Sequence, residues 1–308
     1  MNLKMRDAFL DKLTELASLD KDIVLLTGDL GFNVFEDFES RFPGQYFNVG
    51  VAEQNMTGLA AGLALKGKKV ITYSIANFPT LRCLEQIRND ACYHGLNITI
   101  VASGGGFSYG SLGMSHHATE DLAILRALPD ICVVAPATAW EAAEATKALI
   151  NHDGVGYLRL DKTIADDSNN FSFKLGHSIR YKKGDDVTIL STGGILKDVL
   201  QATKLLKDSG IDAGAVNIHT IKPIDKNLII SVANETGGII TVEEHNIDGG
   251  LGSAVAEVCM DAGIKPKVFL RIGLENKYSS IVGSQDFLKS YYQMDAKTIA
   301  NRVKKILS

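Results

Sequence analysis

The alternation of short apolar runs with helical patterns, almost from end to end, is the feature that most constrains how this 308-residue chain can fold. The runs are rich in Val and Ile, as at residues 23–27, 98–102 and 131–135. Continuous apolar strands separated by helices are typical of parallel sheets that carry helices on both faces. The pattern therefore predicts an α/β protein.

The same alternation predicts two domains, since the chain is about twice as long as a typical domain. In the first half it predicts strands and helices at 4–18, 23–27, 53–65, 70–73, 79–94, 98–102, 119–127, 131–135, 139–151 and 156–160. In the second half it predicts them at 187–191, 195–208, 215–219, 225–234, 239–243, 251–262, 268–272 and 295–307. We expect domains at 1–165 and 184–308, each containing a parallel sheet, with a polar linker at 166–183 between them.

Charge and cysteine usage exclude several classes of protein. The net charge is −4, with acidic and basic residues interspersed, which argues against a nucleic-acid or membrane-surface partner. No apolar run approaches the roughly 20 residues of a membrane span, and no signal peptide is visible. Four cysteines in apolar contexts, without a CxxC pair, predict buried thiols and a cytoplasmic protein; they are Cys83, Cys92, Cys132 and Cys259.

One carboxylate stands where a short apolar strand turns into a long, almost uncharged helix. This is Glu53, and the helix that follows it is apolar all round over 56–65, which predicts that the helix is buried. At the edge of a dry core, lost hydration would suit Glu53 to sharing a proton with a partner. The alternative is a carboxylate that only favours the positive end of the helix dipole. The position of Glu53 by itself does not decide between these two roles.

Two more segments follow predicted strands, and the carboxyl ends of parallel strands are where open sheets bind ligands. Phe78 lies at a junction between loop and helix, where a core position is the alternative. The glycine-rich stretch 103–114 leads into His116 and His117, which predicts a flexible loop that approaches a ligand. We expect no metal site, because adjacent histidines do not easily face one ion.

Taken together, these segments resemble the pyrimidine-binding domain of the transketolase family. The resemblance rests on residues 50–54, 78–88 and 113–121, and residues 221–225 and 243–252 resemble the family's carboxyl-terminal domain. It covers nearly the whole chain. It implies a pyrimidine-binding domain of the thiamin diphosphate-binding fold, followed by a transketolase C-terminal domain, and thiamine diphosphate as the cofactor.

The resemblance also implies roles for residues that touch the cofactor. Glu53 would share a proton with N1′ of the aminopyrimidine, so that the ring's own nitrogen can remove the thiazolium proton. Phe78 matches the aromatic residue that stacks on the pyrimidine. Arg82, in the same segment, is a further cofactor-binding candidate.

Three other residues are candidates for contact with the substrate. His116 matches the histidine that moves protons to and from substrate hydroxyls, and His117 is a second candidate. Arg159 matches a position that holds the sugar-phosphate end in relatives. For Arg159, an ion pair with a neighbouring carboxylate remains the alternative.

Part of the family's cofactor site is missing from the sequence. Relatives bind the diphosphate and Mg²⁺ through a Gly-Asp-Gly segment and a later Asn, and no segment here matches. The chain begins at once with a helix, so we expect one half of a split enzyme. The other half would be an amino-terminal subunit that binds the diphosphate and Mg²⁺. We expect an α2β2 heterotetramer in which copies of this chain associate.

The predicted activity is transfer of a two-carbon ketol unit from a ketose to an aldose. Leu112 and Gly104 occupy positions where many transketolases carry Asp and His that contact the substrate, so we expect a non-standard sugar or sugar phosphate. The alternatives are a β-type subunit of a 2-oxoacid dehydrogenase, a deoxyxylulose-phosphate synthase and a non-catalytic regulatory subunit. The synthase is disfavoured because its loop arginine falls at Gly105.

Overall fold

The structure, a computed structural model, describes residues 3–31, 33–162, 164–165 and 171–308. Strands and helices alternate through the first half as the sequence predicts. The strands are β1 (Ile23–Thr27), β2 (Tyr46–Asn48), β3 (Lys69–Ile75), β4 (Ile98–Ser103), β5 (Ile131–Val134) and β6 (Val155–Leu160). The helices are α1 (Met5–Leu19), α2 (Glu36–Arg41), α3 (Glu53–Ala64), α4 (Leu84–Gln86, continued by a π-helix over Ile87–Cys92), α5 (Asp121–Ala127) and α6 (Ala139–Ile150).

The second half repeats the alternation. Its strands are β7 (Ile179–Lys182), β8 (Val187–Thr192), β9 (Ala213–Asn217), β10 (Thr220–Lys222), β11 (Gly238–Asn246) and β12 (Val268–Leu274). Its helices are α7 (Leu196–Lys207), α8 (Lys226–Glu235), α9 (Leu251–Asp261), α10 (Gln285–Tyr291) and α11 (Ala296–Leu307). The sequence did not predict α2, α10, β7 and β10. Each has seven residues or fewer, too short for a clear periodic pattern.

Two mostly parallel sheets confirm the predicted fold class. The first sheet has the strand order β10-β5-β6-β4-β3-β1-β2, and the second has β12-β11-β8-β9-β7. Among the strands of the described residues, only the edge strands β10 and β7 run antiparallel to their neighbours. Strand β7 lies inside the segment predicted as a linker, whose residues 166–170 are outside the described part of the chain.

Strand β10 connects the two halves of the chain. It follows β9 of the second sheet but pairs with β5 at the edge of the first, with Thr220 opposite Val134. Ile221 and Ala254, both from the second half, join the apolar core beneath the first sheet. The two halves therefore share a buried interface, which brings loops from both sheets together.

Helices cover the faces of both sheets and bury the cores. Phe9 and Leu13 of α1 lie with Leu149 of α6 in the core on one face of the first sheet, and Met56 and Ile87 lie in the core on the other. All four cysteines are free and buried, as predicted. Within the described part of the chain, no helix has the length and apolar character that crossing a bilayer requires.

One prediction about α3 is wrong. The sequence predicts a helix buried on every side, but Gly58, Leu59 and Gly62 lie on an exposed face, and Leu59 is 40 % exposed. The opposite face carries Met56 and Ala60, which are fully buried. An all-apolar helix predicts contact with apolar surroundings, but the sequence does not say whether these belong to the same chain.

Candidate active site

Glu53 is the first residue of α3, and only 2 % of it is exposed. The turn before it is held by Asn48, whose side-chain oxygen accepts hydrogen bonds of 3.0 Å from the N–H groups of Asp29 and Gly50. Gly50 adopts a φ of 77°, which glycine tolerates because it has no Cβ. The strand-to-helix turn therefore directs Glu53 into the dry position that the sequence predicts.

Arg82 joins Glu53 to Phe78. Its Nη1 donates a hydrogen bond of 2.7 Å to Oε2 of Glu53, and its guanidinium carbon lies 4.7 Å from the centroid of the Phe78 ring. One flat, cationic group thus contacts both the carboxylate and the ring. An aminopyrimidine, which is flat and can share a proton through a ring nitrogen, needs the same two partners. Glu53 and Phe78 therefore fit the pyrimidine half of thiamine diphosphate.

His116 lies on the other side of Phe78. The two ring centroids are 5.2 Å apart and the ring planes meet at 68°, an edge-to-face contact. Nδ1 of His116 is 3.0 Å from the hydroxyl of Ser115, and the histidine stays partly exposed. Glu53, Arg82, Phe78 and His116, which come from three separate segments of the chain, thus form one continuous group.

A cleft of about 310 Å³ opens beside this group. Asn77 and His117 contribute to its wall from the first half of the chain, and Tyr278 contributes from the second. Exposed apolar side chains of Leu81 and Met114 line it as well. Its lining includes Asn77, Leu81 and His117, which are the sequence neighbours of Phe78, Arg82 and His116, rather than those residues themselves.

His117 takes a different position from His116. It is 3 % exposed, its ring meets that of Phe107 edge to face at 5.1 Å, and its Nε2 lies 3.2 Å from the carbonyl oxygen of Gly110. Since a carbonyl oxygen only accepts, Nε2 carries the hydrogen in this contact. Burial lowers the pKa of His117. These contacts stabilise the loop, and contact with a substrate remains a prediction.

The contacts of Arg159 match the alternative prediction, an ion pair with a neighbouring carboxylate. The residue is 2 % exposed, and its Nε donates to Asp161 at 3.2 Å while its Nη2 donates to the carbonyl oxygen of Glu244 at 2.9 Å. Its Nη1 lies 3.5 Å from the carboxylate of Asp121. All three guanidinium nitrogens therefore face protein partners. The arrangement gives no support to the predicted contact with a sugar phosphate.

The glycine-rich stretch is packed rather than flexible, which corrects the expectation from sequence. Gly104, Gly105 and Gly106 are all buried. A Cβ at Gly104 would collide with the ring of Tyr109, and one at Gly105 would collide with the guanidinium of Arg159. Small residues are needed here because neighbouring side chains come so close. Glycine content alone does not distinguish this from flexibility.

Sequence reasoning missed Lys162, the second residue after the end of β6. Its Nζ lies 3.7 Å from the centroid of the Tyr109 ring. Burial lowers the pKa of Lys162, and the nearby cations Arg6 and Lys4 lower it further. Cations that repel one another at the carboxyl end of a parallel sheet can favour binding of an anion. The position of the lysine two residues after a strand was the available signal.

No metal centre is evident in the described ranges. Among these residues, no group of three or more His, Cys, Asp or Glu side chains is placed to hold an ion. The side chains that approach one another near Glu53 are a carboxylate, a guanidinium, a phenyl ring and an imidazole. This set suits proton transfer and ring stacking.

Comparison with protein families gives two matches. The family described as transketolase, pyrimidine binding domain, matches residues 1–166, and that described as transketolase, C-terminal domain, matches residues 176–300. These matches cover most of the chain and agree with the two sheets.

Individual relatives match over nearly their whole length. The chain is 36% identical to one subunit of the apulose-4-phosphate transketolase of Phocaeicola vulgatus, covering 96% of this chain and 94% of that protein. It is 37% identical to the 6-deoxy-6-sulfo-D-fructose transketolase subunit SqwH of Clostridium sp., and the match covers 96% of this chain and 92% of that protein. A solved structure described as a split gene transketolase, inactive beta4 tetramer, superposes with a TM-score of 0.89 at 35% identity. The superposition covers 100% of this chain and 99% of the other.

Proposed function

Because the chain belongs to the transketolase family, we propose that it is the carboxyl-terminal subunit of a two-component, thiamine diphosphate-dependent transketolase that moves a two-carbon ketol unit from a ketose to an aldose. The observation that carries the proposal is the continuous group of Glu53, Phe78 and His116 beside an open cleft. A buried carboxylate next to an aromatic face is what the aminopyrimidine requires.

Each residue of the group has a distinct role in this proposal. The cofactor, when bound, supplies the carbon nucleophile that attacks the carbonyl of the ketose. Glu53 holds a proton at the pyrimidine nitrogen, in a position that excludes water. Phe78 orients the ring by stacking. His116, which is partly exposed, accepts and returns protons at substrate hydroxyls.

A second polypeptide completes the enzyme. We propose that an amino-terminal subunit holds the diphosphate and Mg²⁺, in an α2β2 assembly in which copies of this chain also contact one another. The names of two relatives, which call them subunits, support this, as does the split gene of the structural neighbour. The exposed apolar face of α3, with Gly58, Leu59 and Gly62, supports association with another chain. The four buried free thiols support a cytoplasmic location.

For the substrate, we propose a ketose with an anionic end that Lys162 and Arg6 attract. At Gly104, where many relatives carry a histidine, Tyr109 fills the space, and Lys162 lies on its ring. The two relatives named above are called transketolases for a sugar phosphate and for a sulfo sugar. Both names contain an anionic group, which supports this substrate class.

The geometry weighs against one alternative activity. An arginine at Gly105, as in deoxyxylulose-phosphate synthases, would collide with Arg159, whose guanidinium is held by Asp161 and Glu244. A decarboxylating 2-oxoacid subunit remains the second candidate. The intact group around Glu53 weighs against a regulatory subunit that has lost its activity.

The test is reconstitution with the amino-terminal subunit, followed by assays on a panel of phosphorylated, sulfonated and deoxy ketoses. We expect aldose-dependent ketol transfer from at least one anionic ketose. Release of carbon dioxide from pyruvate, without ketol transfer, would support the 2-oxoacid alternative. Calorimetry of this chain alone should show weak binding of thiamine diphosphate. Tight, Mg²⁺-dependent binding without the other subunit would contradict the split site.

A further inference from the structure

Glu244 lies on the second sheet, but its carboxylate contacts a loop of the first. Its Oε1 accepts a hydrogen bond of 2.6 Å from the backbone N–H of Phe107. Both of its oxygens accept hydrogen bonds of 3.0 Å from the side-chain amide of Gln285, at the start of α10. Glu244 is 3 % exposed. The contact is therefore a buried connection between the two halves of the chain.

The loop is closed at the point where Glu244 meets it. Gly106 and Ala118 exchange two backbone hydrogen bonds of 2.9 Å, so residues 106–118 form a closed loop that carries His116 two residues before its carboxyl-terminal end. Gly106 adopts a φ of 56°, and a Cβ on it would lie 2.6 Å from Oε1 of Glu244. The carboxylate therefore packs directly against the base of this loop.

Phe107 transmits the contact to the candidate active site. Its ring packs edge to face on His117 at 5.1 Å and stacks on Tyr292 of the second half at 5.5 Å. The side-chain amide of Asn77 donates to the carbonyl oxygen of His117, and Asn77 directly precedes Phe78. A continuous series of contacts thus runs from Glu244 to the pair formed by Phe78 and His116.

We propose that Glu244 is a positioning residue: it holds the loop of residues 106–118 so that His116 keeps its edge-to-face contact with Phe78. The carboxyl-terminal half of the chain would thereby control the geometry of a site that lies on the first sheet. The effect on turnover rests on the proposed function, whereas the effect on the loop does not.

The surroundings show why a carboxylate serves this purpose. Arg159 and Lys289 attract Glu244, Asp161 repels it, and burial raises its pKa to about 7. A buried N–H without an acceptor is costly, so loss of the Glu244 oxygen would release Phe107 and the loop. A glutamine keeps one oxygen for Phe107, and the amide of Gln285 can turn over to accept from the glutamine nitrogen.

Amide hydrogen exchange of the full-length chain tests the contact. Glu244→Ala should speed exchange of peptides from 104–118 by about tenfold or more, whereas Glu244→Gln should stay within about threefold of wild type. The control is Val232→Ala, which opens a cavity in a core of the second half that contains no residue of the loop 106–118. It should destabilise the chain without selectively exposing 104–118.

Selectivity for the loop decides the result. If Glu244→Ala leaves exchange at 104–118 unchanged, or raises it no more than Val232→Ala does, the proposal is wrong. If Glu244→Ala does not fold, Gln285→Ala, which removes two hydrogen bonds to the carboxylate, should still speed exchange at 104–118. Unchanged exchange in that variant would also overturn the proposal.

Turnover provides a second readout in the reconstituted enzyme. Glu244→Ala should lower kcat by about tenfold while the affinity for thiamine diphosphate changes by less than about twofold, because Glu53 and Phe78 lie on other segments. Glu244→Gln should restore kcat. Equal loss of kcat and cofactor affinity in Glu244→Ala would indicate general unfolding. If the wild-type complex shows no ketol transfer, the proposed function fails, and the exchange experiment still decides the role of Glu244.

Discussion

The guanidinium of Arg82 donates a hydrogen bond of 2.7 Å to the carboxylate of Glu53, which joins a cation whose side chain is 47% exposed to an anion whose side chain is 2% exposed. The same guanidinium lies over the ring of Phe78. Arg82 therefore offsets the cost of burying Glu53 and occupies the surface that the aminopyrimidine would contact.

Replacement of Arg82 should destabilise the chain in the absence of cofactor. We expect Arg82→Ala to lower the free energy of unfolding by about 1 kcal/mol, since a buried carboxylate loses its cation but half of that cation is solvated. Urea denaturation measures the change. Arg88→Ala, at an exposed position in the same segment, is the matched control. Equal effects of the two variants would show that the ion pair contributes nothing.

Replacement of Glu53 should abolish most of the turnover. In the reconstituted enzyme we expect Glu53→Gln to lower kcat by about a hundredfold or more, because an amide cannot share a proton with the pyrimidine. The steady-state rate of ketol transfer is the measurement, and Glu85→Gln, on the exposed side of α4, is the control. A rate within about twofold of wild type would favour a non-catalytic role for the site.

Lys162 should affect the binding of anionic substrates only. We expect Lys162→Gln to raise KM for a phosphorylated ketose by about tenfold with little change in kcat, because a charge-assisted contact is lost. KM for an unphosphorylated ketose should stay the same. Lys174→Gln, at an exposed position, is the control. An equal rise of KM for both kinds of ketose would rule out recognition of the anion by Lys162.

A methyl group at Gly105 should distinguish a packed loop from a flexible one. Its Cβ would collide with the guanidinium of Arg159, so Gly105→Ala should lower the free energy of unfolding by about 2 kcal/mol. Gly44→Ala, where the added Cβ has no neighbour within 4 Å, should change it by no more than about 0.5 kcal/mol. Denaturation of both variants measures this, and a flexible loop would make them equivalent.

Glu244 should make stability depend on pH. Burial, followed by repulsion from Asp161, raises its pKa from 4.5 to about 7, against the opposing effects of Lys289 and Arg159. Between these values the folded chain binds more protons than the unfolded chain, so the free energy of unfolding falls as pH rises. The contribution of Glu244 is fully favourable below pH 4.5 and is lost as pH rises through 7.

Comparison with Glu244→Gln isolates this effect, since the amide does not titrate. From pH 5 to 8 we expect the wild type to lose up to about 3 kcal/mol of stability relative to the variant, because one pKa unit corresponds to about 1.4 kcal/mol. Urea denaturation across this pH range gives the difference. Parallel pH profiles for the two proteins would show that the pKa of Glu244 is not raised.

Local patterns in the sequence were sufficient for the fold class, whereas the resemblance to the transketolase family singled out the main residues of the candidate site. Continuous apolar runs predicted the parallel sheets, because a strand buried on both faces must be apolar throughout. The position of Glu53 at a strand-to-helix turn predicted its burial. Glu53, Phe78 and His116 could be grouped because each lies beyond the carboxyl end of a strand in one sheet.

Only the tertiary structure decided which partners these residues meet. The glycines at 104–106 are compatible with a flexible loop until Tyr109, Arg159 and Glu244 are seen to pack against them. Arg159 could have held a ligand until Asp121, Asp161 and Glu244 were found around it. Periodicity and composition report which side chains avoid water, whereas contacts between distant segments depend on how the two sheets pack. For that reason the sequence determined the kind of fold and indicated Glu53 as a candidate carboxylate, and the packing of the two halves decided how the loop of residues 106–118 is held.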